Sequence, residues 1–300
     1  MKCFKDKTMY WREKRYNKKS AKKYGWHPFW FNAEAFDNIL IENIKYFQAV
    51  DGMCGPTTYR RVFTKIEQKY DPNGYHNIIQ KEPTNHILCD GREAKIHWDK
   101  VKIDLLPDNC YKKQKKLRRP TMAVTHWDAA LSANSCRNIL KKRGISSHFV
   151  IDNDGTIVQL VDTNHIAWHA GIRRVNNASI GIDFSNAVYT KYNKTYEKRG
   201  FGPRPIIKNC RVHGRRLSPF LGYYPEQIEA YKALLKTLND NYAIPLVCPV
   251  DESGSLITTV VEDARKGRFK GVVNHYNLTK KKWDASGLQL NDILEELNTN

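Results

Sequence analysis

The chain has 300 residues, 41% of them hydrophobic and 27% charged, a composition that excludes wholesale disorder and leaves room for more than one domain. No stretch approaches the ~18 apolar residues that span a bilayer, and a formal charge of +19 implies an anionic partner such as nucleic acid, lipid headgroups or envelope phosphates. The seven cysteines are odd in number and never spaced C-x-x-C, which argues against a disulfide framework or a thiolate zinc site and predicts reduced thiols.

Residues 1–28 read as a basic N-terminal arm, with Lys2, Lys5, Lys7, Arg12 and further Lys and Arg facing only Asp6 and Glu13, and with Tyr10, Trp11, Tyr16 and Tyr24 interleaved. The arm reads equally as a solvated face or a polymer-binding tail. No apolar stretch follows its basic residues, so a secretory signal is not expected and the chain is expected to start in the cytoplasm. Over 29–72, Phe36, Ile39, Leu40, Ile44 and Phe47 fall at helical spacing, and Tyr59, Val62, Phe63 and Ile66 repeat it, predicting a small all-α module. Gly52 and Gly55 permit the turn between its helices. Residues 73–119 read as a linker with short strands, including a hairpin around Asp90-Gly91. The basic run Lys112 to Arg119 before Pro120 marks its end.

From 120 to 300 the pattern becomes α/β. Met122-Ala123-Val124-Thr125 suits a buried strand, and Leu131 to Arg143 a helix stopped by Gly144. Phe149 to Asp152 and Thr156 to Val161 flank the hairpin signal Asn153-Asp154-Gly155. Ser179 to Phe184 and Gly271 to Asn274 supply two more strands. Pro225 opens a helix with the apolar face Ile228, Tyr231, Leu234, Leu235 and Leu238. The prediction is a central mixed β-sheet flanked by helices.

Strand ends in such sheets gather chemistry. His126 ends the first strand and His275 follows a late one, while a loop of eight residues separates His275 from Asp284. Two imidazoles and one carboxylate would leave the fourth position of a tetrahedral Zn²⁺ open, as a catalytic zinc requires. Asp128 and Asp152 are weaker acidic candidates, the latter more simply a turn former. His169 is expected to line a groove, His148 to pack under the sheet, and His165 and His213 to lie on the surface. The basic insertion from Lys191 to Arg216 is expected to be solvated, and no role is readable for 241–271.

Five ordered blocks carry a resemblance: Val124-Thr125-His126-Trp127-Asp128-Ala129; Ser146 through Gln159; Ala167-Trp168-His169-Ala170-Gly171; Asn177-Ala178-Ser179-Ile180-Gly181-Ile182-Asp183; and His275 through Asp284. Together they resemble the zinc-dependent N-acetylmuramoyl-L-alanine amidases, which include amidase-type phage lysozymes, bacterial cell-wall amidases and peptidoglycan recognition proteins. Val50-Asp51-Gly52-Met53-Cys54-Gly55-Pro56-Thr57-Thr58 resembles the signature of a helical peptidoglycan-binding domain. The resemblance implies His126, His275 and Asp284 as zinc ligands, Lys282 facing the substrate carbonyl, and Trp168, His169 and Asn177 in substrate binding. Asp183 stands where cell-wall amidases carry a glutamate base, one methylene shorter. Other members place a tyrosine at the position of Phe149. The implied activity is cleavage between N-acetylmuramic acid and the L-alanine of the stem peptide by a bacteriophage endolysin or virion-associated lysin. The alternative is a non-catalytic peptidoglycan-binding protein of the same fold. The expected partners are peptidoglycan and anionic envelope polymers, with no specific nucleic acid and no membrane insertion. A monomer is expected, held in the host cytoplasm until release or carried on a virion.

Overall fold

A computed structural model describes residues 85–299 together with Glu13, Arg15, Tyr16, Asn17 and Lys19. The expected arm, apart from those five residues, and the expected helical module over 29–72 lie outside the described residues. Residues Pro83–Asn300 form one compact unit. Among the described residues, no helix is long and apolar enough to cross a membrane.

Strands β1 (His86–Cys89) and β2 (Arg92–Lys95) are joined by Asp90-Gly91 alone. Both loop residues have positive φ, 54° and 73°, the turn geometry whose twist matches the strands it joins. The central sheet is built from β3 (Val101–Ile103), β4 (Met122–Trp127), β5 (Phe149–Ile151), β6 (Ile157–Gln159), β7 (Ser179–Phe184) and β8 (Gly271–Asn274). Its order is β8-β4-β7-β5-β6-β3. All neighbours are parallel except the β5–β6 hairpin, so the sheet is mixed as expected.

Helices α1 (Ala133–Arg143), α2 (Arg173–Ala178), α3 (Asn193–Lys198), α4 (Pro225–Tyr242), α5 (Glu262–Arg265) and α6 (Leu290–Thr299) surround it. Ser132 accepts the Ser135 N–H to cap α1, and Gly144 ends that helix at φ 61°. Alternation along the strands sorts the two faces. Ala123, Trp127, Phe149, Ile151, Ile180, Ile182 and Phe184 pack in one core with Tyr231, Leu234, Leu235 and Leu238 of α4 and Leu290, Ile293 and Leu294 of α6. On the other face, Met122, Val124 and Val273 pack with Val175 and Ala264, and Val150 and Val158 with Ala133 and Cys136 of α1.

The described part of the stretch expected as a linker with short strands, 85–119, has those strands and the Asp90-Gly91 hairpin, and it also packs into the sheet and core. β3 joins the sheet edge beside β6, and Ile87, Cys89, Ile96 and Val101 belong to the main core. Arg118, in the basic run that suggested a boundary, is itself buried. It donates to the carbonyls of Thr163, Asn176 and Ser179. A three-residue strand is too short for its period to be recognised, and a buried arginine looks like a solvated one in sequence. The insertion expected to be solvated carries another such residue. Arg204 is buried, lies over the rings of Tyr196 and Tyr224 at 4.5 and 4.3 Å, and donates to Gly222 O and Gln227 Oε1. The described cysteines are all free, and Cys89, Cys110 and Cys136 are buried.

Candidate metal centre and active site

Thr125 turns its hydroxyl to Tyr231 on α4, so the next residue, His126, points to the opposite face. In the parallel register His126 sits beside Asp183, which places their side chains on the same face of adjacent strands. β8 delivers His275 directly into a 3-10 turn, His275–Asn277, closed by the Asn274 N–H donating to Asn277 Oδ1 at 3.0 Å. The Tyr276 N–H then donates to Asp284 O at 2.9 Å and folds the loop back on itself. Trp283 anchors that loop by packing edge-on against Trp127 at 5.0 Å and Phe220 at 5.9 Å.

These elements bring His126, His275 and Asp284 together, all three buried. Asp284 Oδ2 lies 2.8 Å from His275 Nδ1 and 3.2 Å from His126 Nδ1, and the two nitrogens are 2.9 Å apart. Such a triangle cannot satisfy all three edges with hydrogen bonds, because two imidazole protons at most are shared among three mutually close atoms. Its edges are a few tenths of an ångström short of the ~3.3 Å that tetrahedral geometry with ~2.0–2.1 Å bonds sets for zinc. The donor set and its spacing therefore fit a zinc ion. Burial, followed by the neighbouring His126, lowers the His275 pKa and favours the neutral imidazole that a metal needs. Burial works to raise the Asp284 carboxyl, but the two imidazoles beside it, His126 and His275, hold it well below the usual carboxylate range.

Asp183 is buried, and that burial raises its pKa; the charge of Asp284 adds to the effect and His126 opposes it. Lys282 is exposed and lines the same 480 Å³ cavity as Asp183 and the three buried ligand candidates. Trp168 lies at the cavity's edge, 39% exposed, so its ring is available to a ligand. His169 lines the cavity as expected, but its Nδ1 is also 3.0 Å from His126 Nε2, an arrangement that motif reading missed. Asn177, expected in substrate binding, lies apart from the cavity. It is exposed on α2 and absent from the cavity wall, whereas its neighbour Asn176 is buried and accepts the Ala170 N–H at 2.9 Å. One residue turns a helix by about 100°, which is enough to exchange those environments.

The weaker acidic candidates both accept hydrogen bonds from the backbone, and Asp128 also lines the cavity. Asp128 accepts from Ala130 N, Asn186 N and Ser185 Oγ, holding the chain after β4, and burial pushes its pKa up to about 8. Asp152 accepts from Ala133 N at the start of α1. Phe149 belongs to the core under α4, facing away from the cavity. His148 is buried and accepts the Gly181 N–H at 2.9 Å, as its expected packing role requires. His213 is more than a surface residue: its Nε2–H donates to Lys282 O at 2.9 Å and its backbone N–H to Thr258 O at 3.0 Å. Arg143 and Ile139 of α1, together with Tyr189, complete the cavity wall. No motif marked them, since only the tertiary fold brings α1 to the site.

The Amidase_2 family, N-acetylmuramoyl-L-alanine amidase, matches residues 116–286. Among solved structures, the N-acetylmuramoyl-L-alanine amidase LysC from Clostridium intestinale URNW is 18% identical at a TM-score of 0.39, covering 66% of this chain and 97% of that one. AmpDh3 from Pseudomonas aeruginosa, in complex with anhydromuramic pentapeptide, is 22% identical with a TM-score of 0.40 over 64% of this chain and 66% of that one. A mutant endolysin from Bacillus subtilis is 19% identical with a TM-score of 0.38 over 66% of this chain and 96% of that one. No curated protein matches.

Proposed function

Because the chain belongs to the N-acetylmuramoyl-L-alanine amidase family, we propose that it hydrolyses the bond between N-acetylmuramic acid and L-alanine with a zinc ion held by His126, His275 and Asp284. The observation that carries the zinc reading is the convergence of two imidazole nitrogens and one carboxylate oxygen, all within 4.8 Å of one another. Zinc bound there supplies Lewis acidity, which yields a nucleophile from water near neutral pH and polarises the scissile carbonyl.

The remaining chemistry belongs to the chain. Asp183, on the face of His126, accepts a proton from the attacking water and returns it to the departing amine nitrogen. A carboxyl raised by burial suits both halves of that task. As the water oxygen bonds to the carbonyl carbon and the C–N bond breaks, Lys282 offsets the negative charge on the carbonyl oxygen. The products are the muramyl lactyl carboxylate and the free amino group of L-alanine. Trp168 offers a flat apolar surface at the mouth of the cavity.

The Val50 to Thr58 signature beside an amidase unit supports a lysin that engages the wall. Digestion of purified sacculi by the full chain, with and without chelator, tests both parts. Mass analysis is expected to find new L-alanine amino termini, lost on chelation and regained with zinc. Cleavage at another bond would refute the substrate assignment. Sacculus binding without any release would favour the non-catalytic alternative.

A further inference from the structure

Every second residue of β7 faces the candidate metal centre, and Ser179, Gly181 and Asp183 share that face. Asp183 has a role above; Ser179 and Gly181 do not. Ser179 Oγ donates to the carbonyl of Val175 at 2.7 Å, an acceptor left over in the last turn of α2. With its only proton so committed, the hydroxyl can only accept from His169 Nε2, 3.1 Å away. His169 then carries its proton on Nε2, leaving Nδ1 as an acceptor. That acceptor lies 3.0 Å from His126 Nε2, which must donate. His126 Nδ1 is therefore the bare nitrogen, and it is the atom that lies among the other candidate ligands.

Gly181 makes the chain of contacts possible. A Cβ at this position would lie 2.5 Å from His169 Cγ, so the imidazole occupies the volume of the missing side chain. Each link runs in one direction, from a backbone carbonyl that cannot donate to a ring nitrogen left bare.

We propose that Ser179 and His169 are positioning residues that hold His126 in its Nε2–H tautomer and so aim Nδ1 at the metal. The inference rests on the zinc reading of His126, His275 and Asp284. Partners of this kind behind a ligating imidazole typically matter by about 10- to 100-fold in metal affinity.

The test uses the full metal-free chain with nitrogen-15-labelled histidine. Long-range proton–nitrogen correlation spectra are assigned with His126→Gln and His169→Gln. The wild type is expected to carry protons on Nε2 of both rings; a proton on Nδ1 of His126 would overturn the proposal without any further variant. Zinc affinity is then measured by competition with a chromophoric chelator. Ser179→Ala is expected to give mixed tautomers at both rings and a 10- to 100-fold loss, and Ser179→Thr, which keeps the hydroxyl, to restore the single tautomer. A folded Ser179→Ala protein with unchanged tautomers and affinity also overturns it. Absence of zinc binding by the wild type refutes the metal reading instead, and the wild-type spectrum still decides the relay.

Discussion

Replacing Gly181 with alanine sets a steric prediction whose size can be worked out. The added Cβ would meet His169 Cγ at 2.5 Å, Cδ2 at 2.8 Å and Nδ1 at 2.9 Å. Carbon atoms prefer about 3.5–4.0 Å, so the ring must retreat by roughly 1 Å. That motion would stretch the 3.0 Å contact with His126 beyond hydrogen-bonding range. Overpacking of this kind costs about 1–3 kcal/mol, which lowers the Tm by about 2–4 °C per kcal/mol in a unit of this size. In a His169→Ala background the obstruction is gone. There the same change exchanges a flexible glycine for alanine in a strand and is worth roughly 0.5–1 kcal/mol in the opposite sense. Calorimetry on the four proteins of the cycle should therefore give a coupling of about 1.5–4 kcal/mol between positions 181 and 169. Additive effects would refute the packing account.

Other outcomes follow from the site and the core. Asp284→Ala should lose zinc and sacculus hydrolysis together, whereas Asp183→Ala should keep zinc by metal analysis and lose turnover; loss of metal from the second would show base and ligand exchanged. Lys282→Ala should lower kcat about 10²-fold, as removal of one oxyanion donor does, with zinc content unchanged. Chelation should lower the Tm reversibly, because zinc at 100 times its Kd contributes about 2.7 kcal/mol to the folded state. Arg204→Met removes the donor to Gly222 O and Gln227 Oε1 in the interior and should destabilise by about 3 kcal/mol or more in denaturant titration.

Legibility in the sequence followed the length of the pattern. β4, β7 and α4 carry enough alternating or helical apolar positions to identify them, and Asn153-Asp154-Gly155 announces its own turn. His126, His275 and Asp284 were visible because motif blocks frame them. Val101–Ile103 was not, since three residues establish no period, and its place at the sheet edge depends on β6. The inward position of Asn176 is not legible, because a motif names a block but does not fix which side of α2 faces inward. The spacing of Ser179, Gly181 and Asp183 did contain a signal: three residues at period two on one strand, with the middle one lacking a side chain. Its meaning needed the position of the His169 ring.

His213 gives the two insertions a mechanical meaning. Its backbone holds Thr258 and its imidazole holds the carbonyl of Lys282, while Asn277 ties Ile257 and Thr259 to the turn that follows β8. Three stretches far apart in sequence thus brace one another like the members of a truss. A graft that exchanges the lysine-bearing loop between related enzymes must carry both insertions with it, or the transplanted ammonium will arrive on an unsupported backbone.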